Sequence, residues 1–244
     1  MSALLEFEDF RYRYPDGTPA LNGLTCAINE GETVGFVGPN GAGKTTALLS
    51  ACGLLEGEGT VRVRGASLNR KTSRELGQEI GFVFQNPDDQ LFMPTVYEDI
   101  AFGPKNMGYS KAETTRIVTQ ALHTVELEGY EHKSSHHLST GEQKRVSLAC
   151  VLAMKPDVLI LDEPSSNLDP HARRQLIKLI QTMDRTTVIA GHDLEMILEL
   201  CDRVVILNHG RIVADDLPEV LFRDAELMYS NLLEVPYSLK NSPK

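Results

Sequence analysis

The sequence predicts an α/β fold with a mostly parallel central sheet, an N-terminal antiparallel β subdomain and an inserted helical subdomain. Three observations support this prediction. Short apolar runs alternate with segments of helical pattern, which is typical of parallel strands covered by helices on both faces. Residues 4–30 hold strand-like pieces separated by tight-turn signals. From residue 86 the strand pattern stops, and apolar residues recur at helical spacing.

The N-terminal half begins with short strand-like pieces over residues 4–30. Turns are expected at residues 15–17 (PDG) and 22–23 (NG), because these dipeptides favour tight hairpin turns. Thr33–Val37 is predicted to be a buried strand, followed by a glycine-rich loop and a helix from about Lys44. Further strands are expected at residues 57–65 and 79–85.

The C-terminal half returns to the strand pattern after the helical stretch. A helix is predicted within that stretch, over residues 111–127. Strands and a closing hairpin are then expected at residues 157–164, 186–193 and 203–213. One short helix is expected near the C-terminus. The sequence thus predicts one domain over residues 1–220, with the helical subdomain inserted at about 86–156, and a short tail over residues 221–244.

Charge and hydropathy exclude some functions. The 244 residues carry a formal net charge of −10, which opposes unspecific nucleic-acid binding, so no nucleic-acid partner is expected. No apolar run reaches the roughly eighteen residues that a membrane-spanning helix requires. The N-terminal segment carries acids early and lacks the apolar region of a signal peptide. We therefore expect a cytosolic protein that can dock on a membrane protein.

GPNGAGKT, from Gly38 to Thr45, matches the complete phosphate-loop pattern between a predicted strand and a predicted helix. Backbone N–H groups of such a loop cradle phosphate, and the helix N-terminus adds its positive dipole end. Lys44 supplies charge for the β- and γ-phosphates, and the Thr45 hydroxyl can ligate Mg²⁺. The motif predicts a P-loop NTPase. Its expected nucleotide-binding residues are Gly38, Pro39, Asn40, Gly41, Ala42, Gly43, Lys44, Thr45 and Thr46.

Two acids end the apolar run Val158–Leu161. Because successive side chains of a strand point to opposite sides, Asp162 and Glu163 are expected to do different tasks. Asp162 would hold Mg²⁺, directly or through water. Glu163 would orient and polarise the attacking water as a general base.

Ser139-Thr140-Gly141-Glu142 fits the capping box that begins a helix, with Ser at the cap and Glu three residues later. The segment follows the phosphate loop by about a hundred residues. The residues alone leave two interpretations, a helix cap or one half of a nucleotide site.

Six motifs in order resemble the nucleotide-binding subunits of ATP-binding-cassette (ABC) transporters. They are GPNGAGKT, Gln85, LSTGE, VLILDE, SSNLD and His192, and the resemblance covers about residues 4–220. The resemblance implies ATP and Mg²⁺ as ligands, ATP hydrolysis, integral membrane transporter subunits as partners, and a second ATPase subunit that is identical or related. In such a pair, each ATP lies between one phosphate loop and the partner's LSTGE segment.

The resemblance also assigns roles to single residues. Tyr14 matches the aromatic residue that stacks on adenine, with Tyr12 as a rival. Gln85 would reach Mg²⁺ or the attacking water, and His192 would contact the γ-phosphate. Asp169 matches the loop that crosses the dimer interface, although Asp-Pro also suits a helix start.

The LSTGE segment departs from the usual LSGGQ. The expected contacts to the partner's ATP are Ser139, Gly141 and Glu142. Ser139 and Gly141 retain the family pattern, while Thr140 and Glu142 differ from it. At most slower turnover is expected from these departures.

Residues 85–110, QNPDDQLFMPTVYEDIAFGPKNMGYS, are similar to the energy-coupling-factor and cobalt/nickel importer branch of the family. The resemblance implies an importer ATPase on the cytoplasmic face of the cell membrane. GEQKR, residues 141–145, is similar to the metal-import members of this branch, so the implied cargo is cobalt or nickel ions, with a vitamin as the alternative. A soluble cassette ATPase that acts on nucleic acid or ribosomes is the remaining alternative. Leu91–Pro94 could form a groove for a short helix of a membrane partner, or pack within the helical insert.

Overall fold

The computed structural model describes residues 3–72, 76–77 and 79–240. Its strands, numbered in chain order, are β1 (Ala3–Arg13), β2 (Pro19–Asn29), β3 (Thr33–Val37), β4 (Glu58–Val63), β5 (Ala66–Ser67), β6 (Ile80–Val83), β7 (Val158–Asp162), β8 (Thr186–Ala190), β9 (Arg203–Asn208) and β10 (Arg211–Asp216). Its helices are α1 (Lys44–Ala51), α2 (Val96–Asn106), α3 (Lys111–Thr124), α4 (Thr140–Leu152), α5 (Pro170–Gln181), α6 (Leu194–Leu200), α7 (Pro218–Arg223), α8 (Ala225–Ser230) and α9 (Tyr237–Lys240).

Two sheets organise this part of the chain. The central sheet has the order β10-β9-β3-β8-β7-β6, in which all neighbours pair in parallel except the β9–β10 hairpin. The second sheet, β2-β1-β4-β5, is antiparallel. Helices α2, α3 and α4 follow one another between β6 and β7. The predicted α/β fold, with its N-terminal antiparallel sheet and helical part, is confirmed.

The central sheet separates two hydrophobic cores, because successive side chains of a strand point to opposite faces. On β9, Val204 and Ile206 belong to the core packed by helices. Val205 and Leu207 belong to the core shared with the antiparallel sheet. Every residue of β7 and β8 is buried, as expected for strands covered on both faces. These two strands are therefore held by apolar packing on both faces.

The turn predicted at Asn22-Gly23 is wrong. Phe10 pairs with Leu24 and Arg11 with Asn22, so Gly23 is the extra residue of a β-bulge inside β2. Its φ is 89°, which glycine adopts without strain. Asn-Gly favours positive φ in a hairpin turn and in a bulge alike, so the dipeptide alone could not separate the two structures.

The C-terminal tail forms α7, α8 and α9, where the sequence predicted one short helix. Asp224 divides the segment, because it follows α7 and caps α8 by accepting a hydrogen bond from the Leu227 peptide N–H at 2.9 Å. Leu221, Phe222 and Met228 are buried in the core packed by helices. The tail is therefore attached to the domain by apolar packing. Residues 241–244 of the predicted tail lie outside the described residues.

Candidate nucleotide-binding site

The carboxyl ends of β3, β8 and β7 lie side by side, because these strands are parallel neighbours. A cleft of about 600 Å³ opens at this edge. Ligands of parallel α/β sheets bind at such an edge. The residues predicted from the sequence that line the cleft are Tyr14, Asn40, Gly41, Ala42, Gly43, Lys44, Thr45, Thr46, Gln85, Glu163 and His192.

The loop after β3 has the backbone that a phosphate cradle requires. Gly38 and Gly43 have φ values of 152° and 103°, and an added Cβ would lie 2.1 Å from Leu207 O and 2.6 Å from Ala20 O. Only glycine fits both positions. Gly43 is the N-cap of α1, and no side chain caps this helix. The N–H groups of the first turn of α1 therefore remain free of any capping side chain, as an anion site needs.

Lys44 is buried at the base of the cleft, only 7% exposed. Its Nζ donates hydrogen bonds to Gly38 O at 2.8 Å and Pro39 O at 3.1 Å, which holds the amino group under the loop. Burial lowers the pKa of Lys44, and the nearby Glu163 and Asp162 carboxyls oppose that shift. A phosphate group in the loop would add the negative charge that favours the protonated form.

Thr45 and Asp162 meet below the loop. The Thr45 hydroxyl donates a hydrogen bond to Asp162 Oδ2 at 2.9 Å. The other carboxylate oxygen, Oδ1, is buried and accepts no hydrogen bond within the described residues. Burial raises the pKa of Asp162. A hydroxyl and a buried carboxylate oxygen with a free lone pair form an oxygen donor set of the kind that Mg²⁺ takes.

Glu163 lies beyond the end of β7, so strand alternation does not separate it from Asp162. That part of the sequence argument was wrong, because β7 ends at Asp162 and Glu163 has a left-handed backbone with a φ of 46°. The turn brings the Glu163 side chain to the cleft wall. The two acids still differ in their partners, since Asp162 binds Thr45 and Glu163 contacts His192.

His192 follows β8 and lines the cleft beside the phosphate loop. Its peptide N–H donates to Glu163 Oε2 at 3.2 Å, and its ring Nε2 lies 3.3 Å from Glu163 Oε1. The same Nε2 lies 2.9 Å from Asn40 Oδ1 and 3.4 Å from Lys44 Nζ. The imidazole therefore bridges the phosphate loop and the candidate general base.

Tyr14 forms the rim of the cleft, and the rival Tyr12 does not line it. The Tyr14 ring is 41% exposed, and its hydroxyl is hydrogen-bonded to Thr46 Oγ1 at 2.9 Å. Tyr12 instead packs against the core shared by the two sheets. The sequence missed three neighbours of Tyr14 on this wall, which are Thr18, Pro19 and Ala20. They reach the cleft because a short turn connects β1 to β2, and the PDG signal marks that turn.

Gln85 and Ser166 line the cleft between the helical region and the sheet. Gln85 was predicted, and Ser166 was missed. Both contact Lys144 of α4, whose Nζ donates to Gln85 O at 3.1 Å and to Ser166 Oγ at 3.0 Å. Burial lowers the pKa of Lys144 to about 8. Sequence reasoning also missed this lysine, although its place on the buried face of α4, with Ser147, Leu148 and Val151, was a usable signal.

Ser139, Gly141 and Glu142 are not among the residues that line the cleft. The predicted capping box is present at the start of α4. The Glu142 peptide N–H donates to Ser139 Oγ at 3.4 Å, and Ser139 Oγ donates to Glu142 Oε2 at 2.7 Å. The Tyr130 hydroxyl donates to Glu142 Oε1 at 2.6 Å. The hydrogen bonds from Tyr130 and Ser139 lower the pKa of Glu142 to about 2.

Asp169 and Gly141, both predicted to act toward a second subunit, lie where α4 and α5 approach each other. Asp169 is the N-cap of α5 and accepts hydrogen bonds from the peptide N–H groups of His171 at 2.8 Å and Ala172 at 3.0 Å. The helix-start interpretation of Asp-Pro is thus present in the structure. Gly141 allows α4 to approach α5, because an added Cβ would lie 2.8 Å from the Cβ of Ala172. Their roles toward a second subunit stay predictions.

The fold and the cleft define a P-loop nucleoside triphosphatase with a helical insert. Residues 21–166 match the family model described as ABC transporter, and the chain belongs to that family. It is an ABC ATPase.

Similar proteins support this assignment. The chain is 44% identical over 239 residues to the energy-coupling factor transporter ATP-binding protein EcfA of Methanothermobacter thermautotrophicus, covering 96% of this chain and 77% of EcfA. The structure of CbiO1 from Clostridium perfringens, described as part of the ABC transporter complex cbiONQ, matches with a TM-score of 0.84 and 36% identity over 94% of both chains. The ATP-binding cassette MJ0796, solved as a dimer bound to ADP and Pi, matches with a TM-score of 0.78 and 25% identity, covering 88% of this chain and 98% of that chain.

Proposed function

We propose that this chain is the ATP-hydrolysing subunit of an ABC importer, that it acts in a two-subunit ATPase, and that its cargo is cobalt or nickel ions. The observation that carries the catalytic part is the cleft that joins the phosphate loop to Glu163 and His192. The branch rests on the resemblance of residues 85–110 to the energy-coupling-factor and cobalt/nickel importers. The preference for metal ions over a vitamin rests on the resemblance of GEQKR, residues 141–145, to the metal-import members. The match to CbiO1 agrees with that branch.

The donor set at Thr45 and Asp162 fits Mg²⁺. The Thr45 hydroxyl and the buried Asp162 Oδ1, which lacks a hydrogen-bond partner among the described residues, would hold the ion together with phosphate oxygens. Gln85 lines the same cleft and would contact the ion or the attacking water. Bound there, Mg²⁺ would neutralise charge on the phosphates.

Hydrolysis would depend on Glu163 as the general base. Its carboxylate is oriented by the peptide N–H and the ring of His192, and a water placed between Glu163 and the γ-phosphate would lose its proton to it. Lys44 would bind the β- and γ-phosphates, and the ring of Tyr14 would stack on adenine at the rim.

A second subunit would complete the site. Ser139 and Gly141 of one subunit would contact the ATP held by the phosphate loop of the other. ATP can drive this closure only if it binds the closed dimer more tightly than the open one, and a γ-phosphate that touches both subunits supplies that difference. Its loss on hydrolysis would reopen the dimer. The dimeric MJ0796 structure with ADP and Pi is consistent with such a cycle.

The helical region offers a docking surface for a membrane partner. Leu91 is 3% exposed and packs in the core, whereas Phe92 is 60% exposed. Phe92 and Phe102 stand edge to face at 5.2 Å beside a 420 Å³ groove. An apolar groove of this kind accepts a short helix. No helix in residues 3–72, 76–77 and 79–240 is both long enough and apolar enough to cross a bilayer. In this proposal the chain would bind its membrane partner through this groove, at the cytoplasmic face of the membrane.

The dimer mechanism is tested with Glu163→Gln, which keeps the size of the side chain and removes the base. We expect size-exclusion chromatography to show a stable dimer with ATP and Mg²⁺, and a monomer without ATP. Glu58→Gln, an exposed change on β4, is the matched control and should behave as wild type. A Glu163→Gln protein that remains monomeric at saturating ATP contradicts the mechanism.

The cargo and the partners need a second experiment. The tagged chain should co-purify from membranes with integral subunits, and cells with the intact complex should take up labelled Co²⁺ or Ni²⁺. Uptake of labelled vitamins instead would support the vitamin alternative. Recovery of ribosomes or nucleic acid in place of membrane subunits would contradict the transporter proposal.

A further inference from the structure

A buried lysine connects two segments of the catalytic cleft to α4. Lys144 lies on α4, five residues after Ser139, and is only 4% exposed. Its Nζ donates hydrogen bonds to Glu163 O at 3.1 Å, Gln85 O at 3.1 Å and Ser166 Oγ at 3.0 Å. An ammonium group has three donors, and all three are used. Gln85 follows β6, whereas Glu163 and Ser166 lie in one turn between β7 and α5. One amino group of α4 therefore joins two segments that are far apart in the sequence.

Lys144 carries a desolvation cost that an apolar residue at the same place would avoid. Burial opposes its charge, and the Asp162 and Glu163 carboxyls favour it. The neighbouring positions of α4, Val146, Leu148 and Ala149, are fully packed apolar residues. An apolar side chain could fill this face of the helix equally well. Packing alone therefore does not explain why a lysine with three hydrogen bonds lies here.

The backbone of Glu163 is where these contacts matter most. Its φ of 46° is uncommon for a residue with a long side chain, and such a conformation persists only when the surroundings hold it. The Glu163 peptide N–H donates to Ala190 O at 2.8 Å. Its carbonyl accepts from Lys144 Nζ and from the Ser166 peptide N–H, both at 3.1 Å. The candidate general base is thus fixed on both sides of its α-carbon, from β8 and from α4.

We propose that Lys144 is a positioning residue for ATP hydrolysis. By holding the Glu163 carbonyl, Lys144 fixes the direction of the Glu163 carboxylate. By holding the Gln85 carbonyl and the Ser166 hydroxyl, it fixes the position of the cleft wall that faces the attacking water. Because α4 also begins at Ser139, the same side chain ties the helix that would contact the partner's ATP to the general base of its own subunit; this last link rests on the proposed dimer.

The test compares Lys144→Met and Lys144→Arg with the matched control Arg145→Met. Methionine keeps the unbranched apolar stem and removes the donors. Arg145 is the next residue of α4, and its guanidinium donates to Val125 O at 3.2 Å and Glu126 O at 3.3 Å, away from the cleft. Arg145→Met therefore also removes two side-chain hydrogen bonds to backbone carbonyls, without touching the catalytic segments.

We expect Lys144→Met to lower kcat roughly 10- to 100-fold, because small displacements of catalytic groups cost that much. KM and the Kd for ATP should stay within about twofold of wild type, since the phosphate loop is untouched. Lys144→Arg should give an intermediate kcat. Arg145→Met should lower the melting temperature and leave kcat unchanged.

A Lys144→Met kcat equal to wild type, or a loss matched by Arg145→Met, overturns the proposal. A proportional rise in KM also overturns it, because the residue would then act on binding. If Lys144→Met shows no cooperative unfolding, Lys144→Arg decides, and an arginine variant as fast as wild type overturns the proposal. The dimer proposal has its own test: a Glu163→Gln protein that stays monomeric with ATP would contradict it. In that case the kcat comparison still decides the role of Lys144.

Discussion

The N-termini of α1 and α4 differ in whether a side chain accepts hydrogen bonds from their backbone N–H groups. At α1 the cap is Gly43, and no side chain accepts a hydrogen bond from the first turn. At α4 the cap is Ser139, and the Ser139–Glu142 capping box satisfies the Glu142 and Ser139 N–H groups within the same chain. The first helix end is ready for phosphate. At the second, Ser139 and Glu142 already hydrogen-bond each other, so of these two helix ends α1 alone is free of a capping side chain and better suited to an anion.

The largest effect is expected at the α1 end, from Lys44→Ala. The change removes the charged donor under the phosphate loop, and charge-assisted hydrogen bonds of this kind contribute about 1.5–3 kcal/mol. ATP affinity should fall roughly 10- to 100-fold, as measured by titration calorimetry. Lys178→Ala, an exposed change on α5, is the control and should bind ATP as wild type does. Equal affinity of the Lys44→Ala protein would contradict the assignment of this end as the primary phosphate site.

The next effect is expected at the α4 end, from Ser139→Ala. ATP affinity of the isolated chain should not change, because Ser139 does not line the cleft. In a Glu163→Gln background the ATP-dependent dimer should need roughly tenfold more ATP, since one hydroxyl contact to phosphate is lost. Ultracentrifugation at several ATP concentrations measures this shift.

Ser110 provides a control of unusual similarity for Ser139. It caps α3 through the same box, with Ser110 Oγ as acceptor of the Glu113 peptide N–H at 3.4 Å, the distance found for Ser139. Both alanine variants should lose about 1 kcal/mol of stability from the cap. Only Ser139→Ala should weaken the dimer. If Ser110→Ala weakens it equally, α4 is only a capped helix.

The sequence predicted the α1 end and the capping box well because each depends on residues close together in the chain. The phosphate loop is a contiguous motif between a strand and a helix, and Ser139 and Glu142 are three residues apart. Lys144 and Ser166 escaped prediction because their contacts exist only after β6, β7 and α4 have packed. The same holds for the turn at Glu163. The sequence predicts a strand that includes this residue, but β7 ends at Asp162, so strand alternation does not apply to Glu163.

The Asn22-Gly23 bulge and the C-terminal tail show a different reason why structure could not be predicted from the sequence. Both errors concern a local signal with more than one structural outcome. Asn-Gly suits positive φ in a turn or in a bulge, and only the pairing of β1 with β2 selects the bulge. Leu221 and Phe222 are buried in a core built by segments distant in the sequence, so the tail sequence alone does not show where they pack.

A smaller effect is expected from Glu142→Gln, which changes the charge at the α4 end. Glu142 is ionised at neutral pH, because the hydrogen bonds from Tyr130 and Ser139 lower its pKa to about 2. An anion near the expected phosphate of a partner's ATP opposes closure. The glutamine variant, in the Glu163→Gln background, should dimerise at roughly three- to fivefold lower ATP, given about 1 kcal/mol for two exposed unit charges that water and salt screen. Glu113→Gln is the matched control, and an unchanged or higher ATP requirement in Glu142→Gln contradicts this role.

The smallest effect is expected in the pH dependence of stability. Glu142 binds its proton less tightly when folded, since its pKa falls from 4.5 to about 2, so its contribution is complete above about pH 4.5 and is lost as the pH falls toward 2. Wild type should therefore lose more melting temperature than Glu142→Gln over this interval, while their difference stays constant from pH 5 to 8. Calorimetry in matched buffers measures both curves. Parallel curves down to pH 2 would mean that Tyr130 and Ser139 do not hold the carboxylate in solution, and that the α4 end is open to phosphate as the α1 end is.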